Sequence, residues 1–219
     1  MSNIIRLIAL TTCAAFTGCT FLLPPQTIGS GVAKSEDRSI SEVTKIHLNS
    51  VGTLVLKQSD KESLTVKGDD NIVPLMRSSV ANGTLTLGLA DNSSVQPKTA
   101  MEYVVEVKAI TSLQITGAAI AKVSALDGKT LVVNLTGACQ ATLQGKIDSL
   151  QLNATGASSC DAAELSCKSV TVKVTGASNV TVYAESTLDA TATGACTVKY
   201  LGDPKVTKNI AGTSSIKKR

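Results

Sequence analysis

Five copies of Thr-Gly-Ala recur along the second half of this 219-residue chain, with glycines at Gly117, Gly137, Gly156, Gly176 and Gly194. A degenerate sixth, Ala211-Gly212-Thr213, follows. Successive glycines lie 20, 19, 20, 18 and 18 residues apart, and a fixed period of this length marks a stacked-repeat fold. Ahead of each glycine runs an alternating segment: LQIT, LVVNLT, LQLNAT, VTVKVT and LDATAT. Alternation at period two is the strand signal.

Alignment on the glycine produces columns. Two residues before it stand Ile115, Leu135, Ala154, Val174, Ala192 and Ile210; four residues after it stand Ala121, Ala141, Cys160, Val180, Val198 and Ile216. Each repeat therefore reads as strand, glycine corner, strand, then a looser return such as Asp127-Gly128 or Gly145-Lys146. One such unit cannot bury its own apolar face, but stacked copies can, at about 4.8 Å per turn. An antiparallel sandwich with turns about every ten residues is the competing architecture; it explains the alternation but not the fixed register of Thr-Gly-Ala. The expectation is an all-β chain: a right-handed parallel β-helix (solenoid) of about six 18–20-residue turns over residues 111–219, preceded by an N-terminal β segment, residues 42–110, that caps it. The glycine sits where the corner needs φ > 0 or has no room for a Cβ.

The N-terminal segment is also β, but outside the Thr-Gly-Ala register. Its candidate strands are 44–48, 53–57, 63–67, 84–89 and 101–108, and Asn82-Gly83 is a type I′ hairpin signal. The tail Lys217-Lys218-Arg219 places charge at the far end, a common guard against edge-to-edge growth.

The first eighteen residues read as a targeting segment. Residues 1–6 carry one positive charge, and Leu7 to Phe16 form an apolar run too short to span a bilayer. The run ends in Ala15-Phe16-Thr17-Gly18-Cys19, which resembles the bacterial lipobox, with Phe16 where an aliphatic residue is usual. Cys19 is the expected lipidation site, and lipid chains there would anchor the protein to a membrane. Residues 19–41, with Pro24-Pro25 and several Gly and Ser, read as a tether. The net charge of +4 is spread out and lacks aromatic interleaving, which argues against nucleic-acid binding. Aromatic residues make up 2% of the chain and Trp is absent, so the core is built from Val, Leu, Ile and Ala.

Val66-Lys67-Gly68-Asp69-Asp70-Asn71, then Asn82-Gly83-Thr84-Leu85, then glycine-marked repeats, resemble the bacterial family called putative auto-transporter adhesin, head GIN domain. The resemblance covers roughly residues 40–216 and implies a β-helical, secreted or lipid-anchored protein. It brings no catalytic residues and no cofactor. Thr-Gly-Ala replaces the more usual Ser-Gly-rich corner.

Candidate chemistry is sparse. His47, the single histidine, falls on an expected strand and reads as a surface or edge residue. Asp127, Asp148, Asp161, Glu164, Glu185 and Asp189 fall mainly in the returns, without a shared column, whereas paired-carboxylate catalysis needs two groups within about 5–10 Å. Cys139 and Cys196 share a column three turns apart, about 14 Å at the strand spacing, beyond the roughly 7 Å a disulfide bridges. Cys160 and Cys167 could pair across a turn; alternatively all four cysteines are small fillers of a narrow core. Thr116, Thr136, Thr155, Thr175 and Thr193 form the most regular polar column, either a hydroxylated surface ladder or a hydrogen-bonded corner beside the glycines. Two functional classes follow. One is a non-catalytic envelope lipoprotein, on the outer membrane, whose β-helix meets a protein or glycan partner. The other is a periplasmic scaffold or envelope-stress protein binding other envelope components. A carbohydrate-active enzyme on the same fold is a more distant third.

Overall fold

The computed structural model describes residues Gln26–Arg219. The expected signal segment, residues 1–18, and the expected lipid site Cys19 lie outside the described residues. Nine short strands come first: β1 (Gln26–Ile28), β2 (Ala33–Arg38), β3 (Lys45–Asn49), β4 (Gly52–Gln58), β5 (Ser63–Asp69), β6 (Met76–Ala81), β7 (Thr84–Leu89), β8 (Ser94–Gln96) and β9 (Glu102–Val107). The repeats supply β10 (Ser112–Gly117), β11 (Ala119–Gly137), β12 (Gln140–Gly156), β13 (Ser159–Gly176) and β14 (Asn179–Gly194). β15 (Thr197–Leu201), β16 (Lys205–Gly212) and β17 (Ser215–Lys218) complete the set. No helix among the described residues is long and apolar enough to cross a membrane.

From β10 onward every layer stacks in parallel on the one before. Gly117 pairs with Gly137, Gly137 with Gly156, Gly156 with Gly176, Gly176 with Gly194 and Gly194 with Gly212. Six glycines thus stand in one column, separated by five turns of a β-helix. The columns aligned in the sequence are the buried ones: Ile115, Leu135, Ala154, Val174 and Ala192 are each at most 1% exposed. Ile210, in the last layer of that column, is 46% exposed.

The returns are strands rather than loose connections. Asp127 pairs with Lys146 and Gly145 with Leu165, and β11 to β14 each run unbroken through the return. Bulges between Val123 and Leu126, Thr142 and Gln144, and Ala162 and Ser166 break the period-two pattern there, which hides these strands from an alternation test. The alternation breaks a second time between Ile147 and Leu150, both buried, where two residues turn outward. Each turn is therefore three-sided: a run before the glycine, a run after it, and a short third run beyond the bulge.

The corner explains its glycine twice over. Gly137 has φ 108°, and a Cβ there would lie 2.4 Å from the carbonyl oxygen of Gly117 one turn below. That same oxygen accepts the N–H of Ala138 at 2.9 Å, so the space a side chain would need is the space the inter-turn hydrogen bond uses. Two residues beyond the glycine, a buried column of Cys139, Ser158, Ser178 and Cys196 seals the inside of the corner. Ser158 and Ser178 donate their hydroxyls at 3.1 Å to the carbonyls of Gly137 and Gly156, and the thiols of Cys139 and Cys196 point to those of Gly117 and Gly176 at 3.5 and 3.4 Å. The two cysteines are small fillers, as one reading had it, and weak donors as well.

Two features of the N-terminal half differ from expectation. It shares the repeat register: Leu48 pairs with Ile115 and Leu54 with Ala121, while Leu87 lies under Leu48 and Tyr103 under Leu54. Two further layers, β3–β4 and β7–β9, thus precede the first Thr-Gly-Ala. The corner between β3 and β4 reads Asn49-Ser50-Val51-Gly52, and residues 90–101 join β7 to β9, so neither layer carries a Thr-Gly-Ala. The expected tether is also shorter, because β1 pairs with β8 and β2 pairs with β5 from residue 26 onward. The cap takes the expected form. β6–β7, β2–β5 and β5–β9 pair antiparallel, which ends the parallel stacking, and Asn82 and Gly83 both have positive φ as a type I′ hairpin requires. Tyr103 is the large side chain under this cap, fully buried, its hydroxyl donating to the carbonyl of Gly88 at 2.6 Å.

Candidate functional site

The run before each glycine forms a parallel sheet whose outward residues fall in register from layer to layer. One position before the glycine stands the threonine ladder, Thr116 to Thr193 in register. Thr136, Thr155, Thr175 and Thr193 are exposed and Thr116 is half-buried. Among the described residues no hydrogen bond to protein engages their hydroxyls, so the ladder is a surface and not a bonded corner. The corner bonds are made by the inner serine and cysteine column instead.

A second column lies beside it, three positions before each glycine, and sequence reasoning missed it. It contains Gln114, Asn134, Asn153 and Lys173, and it continues past the repeats to His47, which pairs with Gln114 and Thr86. Asn153 donates its amide to the Asn134 side-chain oxygen at 2.8 Å, a ladder bond between successive layers. The signal was present at a constant offset from the glycines, but the residue identities vary. His47 sits inside the sheet, between β7 and β10, half-buried on this outward face. The stretch from Gln114 to Asn153, flanked by Thr116 to Thr155, is an uncharged lattice of amides and hydroxyls at the strand spacing of about 4.8 Å. Such a surface offers many weak, evenly spaced donors and acceptors rather than one deep site.

Two of the acidic residues, Asp161 and Glu164, line one cleft together with Arg219. Glu164 accepts from Gln144 at 2.6 Å, Glu185 accepts from Ser166 at 2.6 Å, and Asp148 pairs with Lys168 at 2.7 Å, whose hydrogen bond and charge hold the Asp148 carboxyl below the usual range. Asp161 stands in an outward column between Thr142 and Thr181. Among the described residues no group of three His, Cys, Asp or Glu side chains is placed to hold a metal. Cys160 and Cys167 are both buried free thiols, so the pairing considered for them is not made. Burial pushes each thiol up to about 12, Asp161 adding to the effect on Cys160 and Glu185 on Cys167.

The Gly-Asp-Asp-Asn stretch, by contrast, is a built polar cluster, and its work is structural. Asp69 is fully buried. Its Oδ1 accepts the Gly31 N–H at 2.7 Å, and its Oδ2 accepts those of Lys98 and Thr99 at 2.9 and 3.1 Å. Burial works against the charge, but the N–H donors of Thr99, Gly31 and Lys98 outweigh it and hold the carboxyl below the usual range. Asn71 donates to the Ile28 carbonyl at 2.8 Å and accepts the Ser30 N–H at 3.0 Å, while the Ser30 hydroxyl donates to Asp70. Three consecutive side chains thereby clamp the loop after β1 and the loop after β8 to the end of β5.

The profile of the family described as "Putative auto-transporter adhesin, head GIN domain" matches residues 42–204. The chain belongs to that family. Solved structures agree on the fold of this head GIN protein. A putative adhesin from Bacteroides fragilis superposes with a TM-score of 0.70 at 21% identity, over 88% of this chain and 99% of that one. A putative adhesin from Parabacteroides merdae gives 0.56 at 18% identity, over 89% and 99%. A putative lipid binding protein from Parabacteroides distasonis gives 0.53 at 19%, over 89% and 100%. No curated protein matches the chain. In this head GIN protein the Gly68–Asn71 stretch ties the loops after β1 and β8 to the end of β5.

Proposed function

We propose that this head GIN protein is a non-catalytic envelope lipoprotein, lipidated on Cys19, whose ladder face binds a protein or glycan partner at the cell surface. The observation that carries the reading is the in-register lattice of Gln114, Asn134 and Asn153 beside Thr116, Thr136 and Thr155, uncharged and outward-facing. A surface of this kind suits repeated weak contacts with an extended partner, where many individually small hydrogen bonds add along a line. The family description as an adhesin supports the same role, as do the adhesin names of similarly folded proteins.

Protease treatment of intact and permeabilised cells, with a Cys19→Ala variant alongside, tests it. Degradation on intact cells, together with loss of membrane attachment in Cys19→Ala, is the expected outcome. Protection until permeabilisation would reject surface adhesion in favour of a periplasmic scaffold. A Cys19→Ala form that stays membrane-bound would reject the lipid anchor.

A further inference from the structure

We infer that the edge of β16, the last strand on the run before the glycine column, receives an extended acidic peptide as an added strand. Among the described residues β16 pairs only with β14 and β17 only with β15. Half of the backbone N–H and C=O groups of such a strand face away from its single partner, forming a template for strand addition. The apolar side is open too. Ile210 occupies the column that buries Ala192 completely one layer down, yet it is 46% exposed, and Val206 is only half-buried. An added strand with small apolar residues at alternate positions would cover both.

Charge selects the occupant. Between residues 199 and 219 the chain carries Lys199, Lys205, Lys208, Lys217, Lys218 and Arg219 against the single acid Asp203. Asp203 is already paired with Lys218 at 3.0 Å. All six bases are exposed. Lys208 occupies an inward position, opposite Ala190, where its ammonium donates to the Ile216 carbonyl at 2.9 Å and lies 5.4 Å from the Tyr200 ring centroid. Its stem partly covers the end of the core, and its ammonium already engages the edge of β17 at Ile216, so the open backbone template is that of β16. A second copy of this chain meeting the edge head to head would set one basic end against another, a repulsion that works against that dimer. An acidic glycan would satisfy the charge but would neither pair with the backbone template nor cover Ile210. A peptide alternating acidic and β-branched residues satisfies all three. The inference concerns a different surface from the ladder face and does not depend on it.

The test uses the purified protein with an eight-residue peptide of alternating Glu and Val, followed by calorimetry and amide hydrogen exchange. Three comparison probes are a Lys-Val peptide, a Glu-Pro peptide with the same charge but few N–H donors, and polygalacturonate. The expected result is at least tenfold tighter binding of Glu-Val than of any of the three, with slowed exchange confined to β16. A Lys205→Glu, Lys217→Glu double variant should weaken Glu-Val binding about tenfold while exchange elsewhere is unchanged. Equal binding of Glu-Val, Glu-Pro and polygalacturonate would overturn strand addition in favour of charge alone. No binding of Glu-Val would equally overturn it, leaving the basic residues as a guard against edge pairing.

Discussion

The hydroxyl of Ser158 donates at 3.1 Å to the carbonyl oxygen of Gly137, one turn below it. That oxygen also accepts the N–H of Ala157 at 2.9 Å, so the inner serine gives its second lone pair a donor. Cys139 and Cys196 occupy equivalent positions in other turns. Ser158→Cys is therefore expected to leave stability within about 0.5 kcal/mol of the parent, and Ser158→Ala to cost about 1 kcal/mol, the net worth of one hydrogen bond. Urea denaturation midpoints check this; equal and large losses in both variants would mean that volume, not hydrogen bonding, sets the residue.

Glycine replacements divide sharply by position. At Gly156, with φ 103°, an added Cβ would stand 2.6 Å from the Gly137 oxygen. Gly156→Ala should lose at least about 2 kcal/mol, from left-handed backbone strain plus the displaced inter-turn bond. Gly128 has no such conformation, and its Cβ would meet only Ile147 Cδ1 at 3.5 Å. Gly128→Ala should be neutral or stabilising by up to about 1 kcal/mol. Thermal unfolding of the pair decides it, and similar shifts in both would contradict the corner geometry.

The Asp69 clamp makes a prediction in acid. Its folded-state carboxyl is held below the ordinary value, so it contributes stability above about pH 4 and loses it as pH falls through the depressed folded value. Amides of β1 and of residues 97–99 should then exchange faster, ahead of the β-helix. Asp69→Asn should release the same segments at neutral pH. Gly29→Ala should do likewise, because its Cβ would lie within 2.5 Å of the Asp69 carboxyl carbon. Uniform acid loosening along the whole chain would argue against a local clamp.

Cys160 and Cys167 give the opposite pH dependence. Both folded thiols are raised to about 12, whereas unfolded cysteine ionises near 8.5. Their contribution to stability is complete below about pH 8.5 and declines above it, because only the unfolded chain releases the protons. In protein spanning residues 26–219, alkylation of these thiols at pH 8 should track global unfolding. Rapid labelling of the folded protein, or a stability rising between pH 9 and 11, would contradict their burial.

What could be read from the residues depended on repetition. The six-glycine column, the inward columns around Ile115 and Ala121, and the Asn82-Gly83 hairpin all follow from spacing or from a residue with one conformational use. The layer of β3–β4 escaped because its corner, Asn49-Ser50-Val51-Gly52, occurs once and one instance has no period; that of β7–β9 escaped because the long connection 90–101 replaces the corner. Bulges hid the third side of each turn. β1 and β2 resemble a tether because they are short, polar and largely exposed, with Pro24-Pro25, Gly29 and Gly31 around them; their pairing depends on Asp69, some forty residues away. On the ladder face the constant threonine was visible, while the Gln114–Asn134–Asn153 column varied in identity and kept only its position.

The glycine corner has a bearing on how such a molecule changes length. Every contact it makes runs to the turn directly below and the turn directly above, with the same partners each time. Duplicating residues 138–156 would add a layer that supplies its own carbonyl to the next and takes the one it needs from the last, disturbing nothing beyond the seam. The tip would advance by about 4.8 Å and the lattice would gain one more row. Reach is thus set by copy number, and gene duplication within the coding sequence can adjust it in whole steps without redesigning any side chain.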